Sequence, residues 1–163
     1  MTDAGTADLL INSASIHVLE SSFDMTDAGY EAVMGINLRA ALITCQEFGR
    51  ARVAAGGGGA IVNMTSIAGH RGFTEHLCYP ASKAGLEGAT RVLANELGIR
   101  VNAVAPTINL TELALAAWSD PAKSEPMMVR HPLGRSAEVD DVANTTALLL
   151  SPEIAMVNGA IGT

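Results

Sequence analysis

The feature that most constrains this chain is the alternation of short apolar runs with long segments of helical period. "ADLLINSA" (7–14), "AIVNMTS" (60–66) and "IRVNAVAP" (99–106) are brief and mostly apolar, with polar residues toward their carboxyl ends. Runs of that length and character are buried strands. Between the first two lies "TDAGYEAVMGINLRAALITCQEFGRARVAA", with helical spacing in Tyr30, Val33 and Met34, then in Leu38, Ala41, Leu42 and Cys45. Asp27 in its first turn suits the positive end of a helix dipole. "GGGG" (56–59) breaks this helix, and a second helix runs over 78–97 until Gly98 stops it. A last helix is expected over 136–151, with Ser136 as N-cap and Glu138 in the first turn. The segment 107–135, holding three prolines and Trp118, reads as a partly helical cover.

Strand, helix, strand, helix, strand, helix predicts βαβ units and one parallel α/β sheet with right-handed crossovers. No repeat and no linker divides the 163 residues, so a single domain spanning 1–163 is expected. Ligands of such sheets bind beyond the carboxyl ends of the strands. Asn12, Ser66 and the loop after Pro106 all fall on that rim.

Composition removes several classes of function. A net charge of −7 argues against nucleic-acid and acidic-membrane binding. No apolar run reaches spanning length, and the opening residues lack the layout of a signal peptide, so a cytoplasmic protein is expected. Cys45 and Cys78 are too few for a disulfide framework. No Cys/His group has metal-ligand spacing, and no metal site is expected. His17, His70, His76 and His131 read as scattered, solvated loop residues.

"LCYPASKAG" (77–85) carries the chemistry. Tyr79 precedes Lys83 by four residues in a chain with only two Tyr and two Lys. Four apart on a helix, phenol and ammonium share a face. An ammonium there favours phenolate, which suits a group that exchanges protons. Taken alone, the pair reads more readily as an ordinary exposed helical pair, and Ser66 as an ordinary strand-end hydroxyl.

The flanks decide between these readings. "LLINSAS", "MTDAGYEAVMGINLRA", "GGGGAIVNMTSIAG", "YPASKAG", "IRVNAVAP" and "PLGRSAEVDDVANTTALLLSP" together resemble the classical short-chain dehydrogenase/reductase family over nearly the whole chain from about residue 7. Ser66 and Tyr79 lie thirteen apart, and Asn37 twenty-nine before Ser66. The four-residue Tyr–Lys spacing favours classical members over the enoyl reductase branch.

The resemblance implies a Rossmann-like, doubly wound parallel sheet and an NAD- or NADP-dependent oxidoreductase moving hydride between nicotinamide and a small carbonyl or alcohol substrate. Tyr79 is then the acid/base. Lys83 holds the nicotinamide ribose and Ser66 the substrate oxygen. Asn37, at a helix discontinuity, positions a water that links Lys83 to solvent. Asn12, Ala14, Pro106 and Thr111 join Tyr79 and Lys83 in lining the cofactor cleft. Homo-oligomers through the helices near 26–54 and 78–97 are also implied.

Two residues also have plain structural readings: Asn37 can cap a helix break, and Asn12 can tie strand ends together. Cys78 reads as packing, and Trp118 as packing or a substrate contact. Gly56–Gly59 joins a helix to the amino end of a strand, the wrong end for a phosphate loop.

The chain departs from the family pattern at Ser13 and Ser15 in the first motif and at Thr107 after Pro106. It holds no T-G-x-x-x-G-x-G turn, and its first strand resembles the family's fourth. The fold is therefore expected to be partial, with only the nicotinamide half of the cofactor site. It is expected to end at "NGAIGT" (158–163), before the family's last strand. One reading is an incomplete copy of such an enzyme, whose activity alone stays open. A second is a truncated, non-catalytic relative serving as a binding or subunit-assembly partner. A third is an unrelated α/β module whose Tyr–Lys pair is structural.

Overall fold

The computed structural model describes residues 7–107 and 133–162. They form one parallel sheet of four strands in spatial order β1-β2-β3-β4. The strands are β1 (Leu9–Asn12), β2 (Ala60–Met64), β3 (Arg100–Val104) and β4 (Ile161–Gly162). Leu10 lies opposite Ile61, Asn12 opposite Asn63, and Ile61 opposite Val101. The short β4 pairs with β3 through Ala103 and Ile161, so "NGAIGT" contains a strand where the sequence reading expected none.

Helix α1 (Asp27–Met34) is capped by Thr26, whose hydroxyl accepts from the Gly29 amide. It runs through a π-helical stretch, Gly35–Ala40, into α2 (Ala41–Ala54). Helix α3 (Cys78–Glu96) connects β2 to β3, and Gly98 leaves it at φ +64°. That left-handed conformation costs glycine least. Helix α4 (Val139–Leu150) begins two residues later than "SAEVDD" suggested. Glu138, not Ser136, is its N-cap, in a reciprocal box with Asp141. Two acceptors three residues apart satisfy more of the helix's free amides than one serine does.

The two faces of the sheet are covered unequally. Ile61 and Val101 pack with Cys45, Ala94 and Ile99 beneath α2 and α3. On the other face Val62 and Val104 meet Leu149 of α4. Beyond α4's reach, Leu9 and Ile11 of β1 stay about half exposed. β1 has no second partner strand among the described residues. No helix there is long and apolar enough to cross a membrane.

Candidate active site

The buried face of α3 carries Cys78, Ser82, Lys83, Leu86, Glu87, Thr90 and Ala94, the three- and four-residue spacing of one helix side. Lys83 is the unusual member. Its side chain is nearly solvent-free, and its ammonium donates to the Met64 carbonyl at 2.9 Å, at the carboxyl end of β2. Burial lowers its pKa from 10.5 to about 8. The same ammonium lies 5.5 Å from the centre of the Tyr79 ring, and Tyr79 is partly exposed.

Ser66 stands two residues beyond the end of β2 and caps the 3₁₀ turn Ile67–Gly69, its hydroxyl oxygen accepting from Ala68 N. That use occupies a lone pair and leaves the O–H free to donate. β3 steadies the turn from the other side. Thr65 N donates to Val104 O at 2.7 Å, and Ile67 N to Pro106 O at 3.1 Å.

Asn37 sits, buried, inside the π-helical stretch, so the discontinuity falls where the family resemblance implied it. Its amide grips the chain after β1: Oδ1 accepts from Ile16 N, and Nδ2 donates to Ile16 O, both at 2.8 Å. Nδ2 also donates to Ser82 Oγ, which in turn donates to the Tyr79 carbonyl at 2.7 Å. Ser82 is the residue that the reading of "YPASK" passed over. A hydroxyl three residues after Tyr79, on the same helix face, was the available signal.

Asn12 forms the strand tie. Its Nδ2 donates to Asn63 Oδ1 at 2.8 Å and to Cys45 Sγ, and its Oδ1 accepts from Thr44. Asn63 passes the chain on to Thr90 of α3. Burial raises the Cys45 thiol pKa, against the pull of its bonds to Asn63 and Asn12.

Ala14 is exposed just past the end of β1, on the same rim. Pro106 and Thr107 line a cavity of about 360 Å³ together with Val104, Ser136 and Val142. A larger cavity, about 590 Å³, opens at the opposite end of the strands beside Asp8, Gly59 and Gly98, and none of the predicted site residues lines it. Its position puts it away from the chemistry. Thr111, Trp118, His131 and most of the expected cover lie outside the described residues. Cys78 is buried packing.

The histidines are less scattered than the sequence suggested. His17 stacks on His76 with ring centres 5.9 Å apart and meets the Tyr79 ring edge-on at 6.0 Å, while Phe73 lies 6.2 Å from His76. The loops after β1 and β2 bring them together, joined where Glu20 N donates to Glu75 O. Sequence separation hid this group. His70 instead pairs with Glu87. Among the described residues no group of three or more His, Cys, Asp or Glu is arranged to hold a metal.

An open parallel α/β sheet with polar residues at the carboxyl ends of its strands, here Ser66 just past β2, Lys83 on the Met64 carbonyl and Tyr79 beside Lys83, has the architecture of the doubly wound ligand-binding folds. The family model described as enoyl-(acyl carrier protein) reductase matches residues 1–162, and the chain belongs to the short-chain dehydrogenase/reductase family. It is 43% identical to the L-xylulose reductase of Bos taurus over 159 residues, 96% of this chain and 65% of that protein. It is 41% identical to the D-erythrulose reductase of Gallus gallus, with the same coverage. The fold is similar, with a TM-score of 0.94 and 35% identity, to a structure from Agrobacterium tumefaciens assigned as a 2-deoxy-D-gluconate 3-dehydrogenase with bound NADP, covering 99% of this chain and 66% of that one. The chain thus spans about two thirds of the length of these relatives, just under it for the two curated proteins.

Proposed function

We propose that this sequence is the catalytic part of an NAD(P)-dependent reductase of small polyhydroxy ketones, running in reverse as an alcohol dehydrogenase. One observation carries the reading: the Lys83 ammonium, fixed to the end of β2, lies beside the Tyr79 ring. The ketose class comes from the named xylulose and erythrulose reductases, and the His17 imidazole, edge-on to Tyr79 and stacked on His76, suits a hydroxyl-rich substrate. The description of the matched family model points to enoyl substrates, which the four-residue Tyr–Lys spacing does not favour.

The residues present fit the nicotinamide half of the cofactor. Ala14 and Pro106 border the rim, and Lys83, with one N–H spent on Met64, has two left for ribose hydroxyls. Nicotinamide, when bound, supplies or takes the hydride. Tyr79 gives its proton to the carbonyl oxygen in reduction and takes it back in oxidation. Ser66 donates to the same oxygen as negative charge grows there, which lowers the barrier because its direction is fixed beforehand. Lys83 places a positive charge beside the phenol while the proton moves. Asn37 holds the chain after β1 in place and, through the π-helical stretch, offers backbone groups to a water leading from Lys83.

Subunit pairing through 26–54 and 78–97 belongs to this reading, and the exposed Ile43, Val53 and Val92 on those helices support it. The test is turnover of an α-hydroxy ketone by the 163-residue chain at millimolar NADPH, followed by absorbance. High cofactor concentration is needed because the sequence lacks a Gly-rich pyrophosphate turn. Tyr79→Phe is expected to cut kcat by about 10²-fold or more. Equal rates for Tyr79→Phe and the parent would overturn the reading.

A further inference from the structure

We infer that His70 and Glu87 are positioning residues that clamp the Ser66 turn onto the catalytic helix. Glu87 lies one helical turn beyond Lys83 on the buried face of α3, with a side chain only 4% exposed. A carboxylate so placed is expensive unless something compensates it. Its compensation is His70, whose Nε2 meets Glu87 Oε2 at 2.7 Å, while Oε1 has no partner among the described residues. The imidazole reaches in from a half-exposed position immediately after the 3₁₀ turn that Ser66 caps.

The turn and the helix touch at the backbone as well. A Cβ on Gly69 would stand 3.0 Å from Glu87 Oε1 and 3.1 Å from Ala84 N. A side chain at 69 would crowd α3, and glycine lets the turn's backbone lie close against the helix. Ser66 is consequently held from two directions: by the end of β3 and the residues after it, where Val104 O and Pro106 O accept from its neighbours Thr65 and Ile67, and by α3, through the His70–Glu87 pair. The β3 contacts fix its height above the sheet. The α3 contact fixes its separation from Tyr79, which rides on that helix. That the clamp serves turnover rests on the reductase reading; the clamp itself does not.

The test separates the two in the 163-residue chain. Amide hydrogen exchange reads the clamp at Ala68, Gly69 and His70, whose N–H groups bond within the turn, with Val62 and Val101 as core controls. His70→Ala is expected to speed exchange in the turn about tenfold or more with the core unchanged, and His70→Gln, which keeps a donor, to restore most protection. Should His70→Ala unfold, the double variant His70→Leu/Glu87→Leu removes the bond without stranding a charge, and the same loosening is expected. In the turnover assay His70→Ala is expected to lower kcat about tenfold with KM for NADPH unchanged, and His70→Gln to recover it. Parental exchange at 68–70 in both His70→Ala and the double variant would overturn the clamp, and so would failure of His70→Gln to restore protection. Absent turnover in the parent, with exchange behaving as stated, would sink the reductase reading and leave the clamp standing.

Discussion

Lys83 and Tyr79 face each other across one turn of α3, the ammonium 5.5 Å from the ring centre and almost wholly withdrawn from water. Such a charge carries a cost that depends on pH. The folded pKa is lowered to about 8 against an unfolded value of 10.5. Between these values the unfolded chain binds the extra proton, so stability rises with pH across that window, by up to about 1.4 kcal/mol per unit. Below pH 8 both states are protonated and the cost is present in full. Above 10.5 neither is, and the cost is gone. Urea unfolding of the parent and Lys83→Met at pH 7.5, 9 and 10 is expected to show their difference moving in the parent's favour as pH rises. A difference constant over that range would mean that Lys83 is not desolvated.

Asn12 poses a choice that its position alone could not settle, between lining the rim and tying strand to strand. Its amide is now committed to Asn63, Cys45 and Thr44. Asn12→Ala removes the stronger donor that Asn63 Oδ1 faces in a fully buried setting and leaves it the weak Cys45 thiol, so a cost of about 1–2 kcal/mol is expected. Thr44→Val removes an exposed hydroxyl shared between Asn12 Oδ1 and Ala41 O, and is expected to cost well under half as much. Urea midpoints decide it: an Asn12→Ala chain as stable as Thr44→Val would return Asn12 to the rim.

What the sequence disclosed follows the range of the forces involved. Strands β1 to β3 and the three long helical segments were legible because each is set by local period. The break at Asn37 was legible only through family resemblance, since no propensity in "VMGINLRA" announces a π turn. Ser82 and Glu87 were hidden for a different reason. Polar residues on a buried helix face look like solvated ones until their partners, Asn37 and His70, arrive from 45 and 17 residues away. The grouping of His17 with Tyr79 and with His76 is likewise a product of two loops meeting, which spacing along the chain does not record.

Gly56–Gly59 supplies the last prediction. All four glycines have positive φ, and the run wraps the Arg52 guanidinium, which donates to Gly57 O and Gly58 O and pairs with Asp8. This is a structural turn at the amino end of β2. The four positions differ in what a side chain would meet. At Gly56, φ +95°, a Cβ finds open space, so alanine there carries backbone strain alone, of order 1–3 kcal/mol. At Gly59, φ +103°, a Cβ would come within 2.6 Å of the Asp8 carbonyl oxygen and 3.3 Å of Arg52 Nε. That carbonyl accepts from Ala60 N at 3.2 Å where β1 meets β2, so the clash must push the first strand from the sheet. Gly59→Ala is therefore expected to be less stable than Gly56→Ala by a further ~1 kcal/mol or more, and to expose the amides of Leu10 and Ile11 to exchange. Equal urea midpoints for the two variants would show that β1 is not seated against this turn.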